Sequence, residues 1–158
     1  MRIGYGSDVH ALVAGRRLVL GGVEVAFELG LEGHSDADVL THAIIDALLG
    51  AAALGTIGEH FSDQDPRWQG VSSLDLLAIT AQQLAGQGWR VENVDSTITA
   101  QRPKLAPHLG SMAVSLAAQL RLEPSRVSVK ASSPEGLGAL GRGEGMAAQA
   151  VVLLERQP

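Results

Sequence analysis

The chain has no cysteine among its 158 residues. Disulfide support and thiolate ligation of a metal are therefore excluded. Aromatic residues make up only 3%, so the core has to be aliphatic. No run approaches the ~18 apolar residues of a membrane span, and the amino terminus reads as a strand at once rather than as the apolar core of a signal peptide. Basic residues are outnumbered, with 12 Lys and Arg against 17 Asp and Glu and a net charge of −5. Such a chain is a poor general binder of nucleic acid, and a phosphorylated substrate has to be held by local groups and metal ions. Internal repeats, low-complexity tracts and linkers are missing as well. These absences fit a reducing compartment and set the expectation of a cytoplasmic protein. What remains is 46% hydrophobic, enough to bury one core, and the length suits a single domain over residues 1–158.

The patterning predicts strands over residues 2–9, 18–20, 23–25, 94–100, 127–130 and 146–154. Gly21-Gly22 between two apolar runs signals a hairpin. Ser35 followed by Asp38 resembles a capping box, opening a helix over 36–54 with Val39, Ala43, Ala47 and Ala51 on one stripe. Residues 60–70 read as a polar loop. A second helix starts near Ser72 and Asp75 and ends near Gly86-Gln87-Gly88. A third runs from Pro107, suited to a first helical turn, to about Leu120. A glycine-rich loop spans 132–145. The resulting order, roughly β-β-β-α-α-β-α-β-β, predicts one mixed sheet with helices on one face, an α/β two-layer domain.

Asp8-Val9-His10 carries the strongest chemical signal. Residues two apart on a strand share a face, so the carboxylate and the imidazole aim at one point. His42, from the helical pattern, supplies a third ligand from across the core. Two imidazoles and one carboxylate suit zinc with an open position, although several divalent ions fit such ligands. Asp38 and Asp46 lie one turn either side of His42, placed to accept its second ring proton. His34-Ser35 precedes the long helix and reads either as a phosphate site at a helix amino terminus or as a simple cap. Lys130-Ala131-Ser132-Ser133-Pro134-Glu135-Gly136 combines hydroxyls, a lysine and a carboxylate after a strand. It reads as a diphosphate loop, with Glu135 on a hard cation, or as an ordinary loop. Pro103-Lys104-Leu105 follows another strand. Gly141-Arg142-Gly143-Glu144-Gly145 offers an anion site, a charged cluster where subunits meet, or a tight bend, and is not a dinucleotide fingerprint.

Met1 to His10, His34-Ser35-Asp36, Asp46-Ala47-Leu48-Leu49-Gly50, Phe61-Ser62-Asp63 and Gly141 to Gly145 together resemble the 2-C-methyl-D-erythritol 2,4-cyclodiphosphate synthase family across essentially the whole chain. The resemblance implies cyclisation of 4-diphosphocytidyl-2-C-methyl-D-erythritol 2-phosphate with release of CMP. It also implies a homotrimer, its sheets packed around a threefold axis and its active sites between neighbouring subunits. It assigns Asp8, His10 and His42 to zinc and Glu135 to a magnesium or manganese ion. His34 and Ser133 take transition-state stabilising roles. Ser35, Thr56, Ile57, Gly58, Phe61, Ser62, Asp63, Gln64 and Asp65 hold the erythritol phosphate end, with Arg142 at a phosphate near the trimer axis. Ala100, Gln101, Arg102, Pro103, Lys104, Leu105 and Ala106, with Ala131 and Ser132, bind the nucleotide. Three departures stand out. Thr56 replaces the family's usual Asp, Ala139 a common Phe, and Ser132-Ser133 a pair of threonines. The same ligands also suit a metal-dependent phosphohydrolase, and Thr56 leaves open a non-catalytic trimer that binds isoprenoid diphosphates.

Overall fold

The computed structural model describes residues 1–157. The chain runs β1 (Arg2–Ala14), β2 (Leu18–Leu20), β3 (Val23–Val25), β4 (Leu29–Leu31), α1 (Val39–Ala52), α2 (Ile57–His60), α3 (Ser73–Gly86), β5 (Trp89–Thr99), α4 (Leu109–Leu120), β6 (Val127–Ser132), α5 (Gly138–Gly141) and β7 (Gly145–Arg156). A five-stranded sheet has the order β4-β1-β7-β5-β6. Its pairs are antiparallel except β5 with β6, which run parallel. The β2–β3 hairpin turns on Gly21 and Gly22, both at positive φ, as the glycine pair predicted. The long helices α1, α3 and α4 pack on one sheet face, so the expected two-layer α/β arrangement is present, but β2 and β3 form a separate two-stranded sheet rather than joining the single sheet expected. On the other face Ile3, Tyr5, Val9 and Val151 are exposed.

The helix α1 is buried nearly all round, with only Asp46 and Gly50 outside the buried set. Its alanine stripe faces β1, where Gly4 and Gly6 have no side chain. A Cβ on Gly4 would lie 1.9 Å from the Ala47 carbonyl oxygen, and one on Gly6 would lie 2.1 Å from that of Ala43. Helix and strand backbones therefore touch, and this close approach lowers His42 onto the β1 residues Asp8 and His10. The surrounding core is aliphatic, as the scarcity of aromatics implied.

Several boundaries differ from those the sequence pattern predicts. The helix α1 starts at Val39, because Ala37 sits at φ 56°, outside the helical region, and Asp38 is the cap, accepting from the Thr41 N–H at 3.0 Å. Ser35 is thus not the start of a capping box. The helix stops at Ala52 because Ala53 turns left-handed. The strand β1 continues to Ala14 and pairs with β4, a strand too short to leave a pattern. A register irregularity between Val91 and Asn93 hides the first half of β5. The polar loop 60–70 contains a 3-10 turn at Pro66–Trp68, and α5 lies within the glycine-rich loop.

Candidate functional site

The period of a strand puts Asp8 and His10 on the helix-covered face of β1, and α1 brings His42 to them. The Asp8 Oδ2 lies 2.8 Å from His10 Nε2 and 3.1 Å from His42 Nδ1. The two ring nitrogens are 3.2 Å apart. All three ligands expected from the sequence therefore converge on one point. Outside the cluster, His10 Nδ1 donates to the Glu32 carbonyl at 2.6 Å. A carbonyl only accepts, so His10 turns the lone pair of Nε2 toward Asp8. The His42 Nε2 faces the hydroxyls of Ser73 at 2.8 Å and Ser35 at 3.2 Å. Three acceptor atoms facing each other demand a positive charge between them, either a proton or a cation. An N,N,O donor set with one side open to solvent fits zinc or a similar divalent ion.

The protonation preferences agree with that reading. Burial alone pushes the Asp8 carboxyl up, but the hydrogen bonds and charge that His10 and His42 offer when a ring is protonated hold it well below the usual carboxylate range. Burial pushes His10 down, but the Asp8 hydrogen bond and charge outweigh it, so His10 is raised above its ordinary value. Both shifts favour a positive charge at the centre of the cluster.

His34 flanks the cluster. Its Nε2 lies 3.2 Å from the Asp65 carbonyl, and its own carbonyl accepts from Gly70 N–H at 2.8 Å. The loop 61–70 is thereby tied to His34. Arg16 grips the same segment from behind, donating to the carbonyls of Gly33 at 3.0 Å and Ser35 at 2.7 Å. An open cavity of about 450 Å³ lies there, lined by Arg16, His34, Ser35 and Asp36 among others. A larger concavity, about 750 Å³, lies between the carboxyl ends of α3 and α4 at the start of β5, away from all these groups. Thr56 is exposed, and its backbone N–H donates to Glu59 at 2.8 Å. Phe61 packs edge-on against Trp68 at 5.1 Å, which braces the loop carrying Ser62, Asp63 and Gln64.

The geometry corrects two expectations drawn from helix spacing. Asp38 does not accept the second ring proton of His42. Its carboxylate instead accepts from Gly21 N–H, Gly22 N–H, Thr41 N–H and Thr41 Oγ1–H at 2.7–3.0 Å. It staples the hairpin turn to α1, and burial raises its pKa against those hydrogen bonds. Asp46 does not reach His42 either. It accepts from Ile57 N–H at 2.7 Å and so positions the segment from Thr56 to Gly58. Both nitrogens of His42 are already engaged elsewhere, which leaves neither acid a role on the ring. The residues that do face its far side are Ser35 and Ser73, and Ser73 donates in turn to Asp36. Only the His34-Ser35-Asp36 motif hinted at this, and Ser73 left no signal beyond its place beside the cap at Ser72.

The expected nucleotide segments form a second cluster. The strands β5 and β6 run parallel and end level, Thr99 beside Ser132, and ligand loops commonly follow the carboxyl ends of parallel strands. Ala100 N–H donates to the Ser132 carbonyl at 3.1 Å, and Gln101 accepts from Gly136 N–H at 2.9 Å. Ser133 Oγ accepts from Glu135 N–H at 3.0 Å, with Glu135 at positive φ. Arg102 lies over Phe27 and 3.5 Å from Glu28. Arg142 pairs with Glu144 at 2.6 Å on the surface. Among the described residues, no hydrogen bond or ion pair joins this nucleotide cluster to the Asp8, His10 and His42 cluster within one chain.

Residues 1–155 match the profile of the YgbB family. The chain belongs to that family. Within the YgbB family it is similar to the 2-C-methyl-D-erythritol 2,4-cyclodiphosphate synthase of Gloeobacter violaceus, 60% identical over 155 residues, 98% of this chain and 95% of that protein. The Geobacter sulfurreducens synthase is 57% identical over 157 residues, 99% of this chain and 100% of that one. A solved structure of a 2C-methyl-D-erythritol-2,4-cyclodiphosphate synthase superposes with a TM-score of 0.90 at 40% identity, covering 98% of this chain and 100% of that one. A CDP-bound form of the enzyme superposes equally well, with the same TM-score of 0.90. The fold of this YgbB-family chain is thus shared along its length with proteins named as cyclodiphosphate synthases.

Proposed function

We infer that the chain cyclises 4-diphosphocytidyl-2-C-methyl-D-erythritol 2-phosphate to the 2,4-cyclodiphosphate and CMP. The convergence of Asp8 Oδ2, His10 Nε2 and His42 Nδ1 carries this reading, on a frame shared with synthases about 60% identical to it. The 2-phosphate oxygen attacks the β-phosphorus, the bond from that phosphorus to the bridging oxygen breaks, and CMP leaves with the electron pair. The chemistry is that of a phosphorus–oxygen lyase. The nucleophile is on the substrate, so the protein folds the substrate and neutralises charge rather than activating a side chain. A zinc or other divalent ion held by Asp8, His10 and His42, with magnesium or manganese at Glu135, supplies Lewis-acid charge neutralisation on the diphosphate.

The protein's own groups complete the site. The imidazole of His34 and the hydroxyl of Ser133 donate hydrogen bonds to phosphate oxygens as charge builds there. Ser35, the turn from Thr56 to Gly58, and the loop from Phe61 to Asp65 orient the erythritol end. Lys104 and the backbone from Ala100 to Ala106, with Ala131 and Ser132, hold the nucleotide, and Arg142 meets a phosphate. One domain carries all of these groups. The metal-side and nucleotide-side clusters belong to neighbouring copies in a homotrimer, which packs the outer sheet faces together. That assembly is supported by the uncovered Ile3, Tyr5, Val9 and Val151, since exposed apolar patches mark contact surfaces. The protein works in the cytoplasm, in keeping with the lack of cysteine and of any described helix able to cross a membrane.

The test is turnover of the diphosphocytidyl substrate in 18O-labelled water. Cyclic product and CMP should form with no label incorporated. Label in the product would replace this reading with phosphohydrolysis, and no turnover would point to a binding protein. His42→Ala should lose both bound metal and rate. Light scattering should give three times the chain mass, and Tyr5→Glu should lower it.

A further inference from the structure

The far side of His42 is built with a direction. The Ser73 hydroxyl has one proton, and it goes to Asp36, whose carboxylate can only accept. What Ser73 presents to His42 Nε2 at 2.8 Å is therefore a lone pair, and the more distant Ser35 Oγ at 3.2 Å can accept from the same atom, so Nε2 carries the ring proton. That leaves Nδ1 bare, facing Asp8 and His10. Asp36 holds its place by accepting from Ser73 N–H at 3.0 Å and from Asp38 N–H at 3.2 Å. It comes from a loop 37 residues before Ser73 and fills the amino-terminal end of α3, where Ser72 contributes no side-chain cap. Ser73 is fully buried, so water does not substitute for either partner.

We propose that Asp36, acting through Ser73, is a positioning residue that locks His42 in the Nδ1-bare tautomer and thereby sets the divalent-ion affinity of the Asp8, His10 and His42 cluster. The inference rests on the metal reading above. If the Ser73 proton is freed from Asp36, it turns to Nε2 of His42. The ring proton then moves to Nδ1, aims at Asp8 and fills the ligand position. His10 needs no such device, because the Glu32 carbonyl cannot reverse its role. Groups that orient a metal-bound imidazole in this way typically account for about 10–100-fold in metal affinity.

The experiment uses the full chain, with zinc affinity measured by chelator competition and the His42 tautomer read from 15N imidazole shifts of the metal-free protein. Ser73→Ala keeps the Ser73 N–H to Asp36 and removes only the relay. It should weaken zinc binding about 10–100-fold and give a mixed tautomer. Ser73→Thr, which retains the hydroxyl, should stay within about threefold of wild type. Asp36→Asn should weaken binding in the wild-type background and add little in Ser73→Ala, the non-additivity expected of one chain of contacts. A merely structural role would lower the melting temperature and leave the affinity and tautomer of the folded protein alone, and that result overturns the proposal. Wild-type zinc binding that survives in Ser73→Ala at full strength overturns the relay only. Zinc binding that survives in His42→Ala overturns the metal reading with it.

Discussion

Gly6→Ala tests the link from backbone packing to metal ligation. A Cβ at Gly6 would meet the Ala43 carbonyl oxygen at 2.1 Å and the Ala47 nitrogen at 2.5 Å. Both are backbone atoms of α1, so no rotamer change relieves the clash. Reaching the 3.4 Å of ordinary contact requires α1 to withdraw from β1 by about 1.3 Å. The helix is packed on nearly every side, so it moves against its other neighbours at an overpacking cost of about 3 kcal/mol. At this chain length that corresponds to a melting temperature about 6–12 °C lower. His42 immediately precedes Ala43 and moves with it, while Asp8 and His10 stay on β1. Metal sites tolerate errors of about 0.2 Å in ligand distance, so a displacement several times larger should weaken zinc binding by at least the ~10-fold that disturbed ligand orientation costs. Calorimetry and zinc competition on the same sample read both effects. Gly50→Ala is the control, since its Cβ would meet only the Tyr5 carbonyl at 3.9 Å. Helix propensity alone should make that change stabilising by about 0.5–1 kcal/mol. If Gly6→Ala behaves like Gly50→Ala in both assays, the close approach of α1 and β1 does not position His42.

Asp38→Ala orphans four donors, two of them on the hairpin turn, and should cost about 4 kcal/mol in urea unfolding; a loss below about 1 kcal/mol contradicts its role as a staple. The metal-free protein should draw stability from the Asp8–His10 pair above about pH 4 and below about pH 6.5, and lose the His10 part as pH rises through its raised pKa. Melting curves with chelator from pH 5 to 9 should show that decline, and Asp8→Asn should flatten it; parallel curves rule the pair out. Adding zinc should reverse the slope, because the ligands bind metal only after losing protons. Thr56→Asp should lower KM with little change in kcat, since a carboxylate offers the sugar hydroxyls two acceptor oxygens; an unchanged KM removes Thr56 from the sugar contacts.

Much of the architecture was legible because its signals are local. Alternation marked the second half of β5, an apolar run marked β7, Gly21-Gly22 marked the hairpin, and the alanine stripe of α1 marked the face that meets β1. The ligand triad was legible for a related reason. Strand period aligned Asp8 with His10, and the helical pattern carried the one further histidine that the family motif assigns to the same ion. Helix starts were less legible, because Ala37 adopts a left-handed conformation that no side-chain pattern announces.

The roles of Asp38 and Asp46 show where local reading stops. Spacing of four placed both on the His42 side of α1, and that is a statement about the helix alone. Which group each acid meets depends on what packs beside the helix. The β2–β3 turn arrives at Asp38, and the first residue of α2 arrives at Asp46. The amino acid order was enough to specify which candidate ligand side chains converge on one point, since ligand chemistry and backbone period are carried by the residues themselves. The partner of each buried polar group was decided by the fold, because a carboxylate or hydroxyl binds whichever donor or acceptor the packing of distant segments delivers. Asp36 and Ser73 meet across 37 residues for that reason.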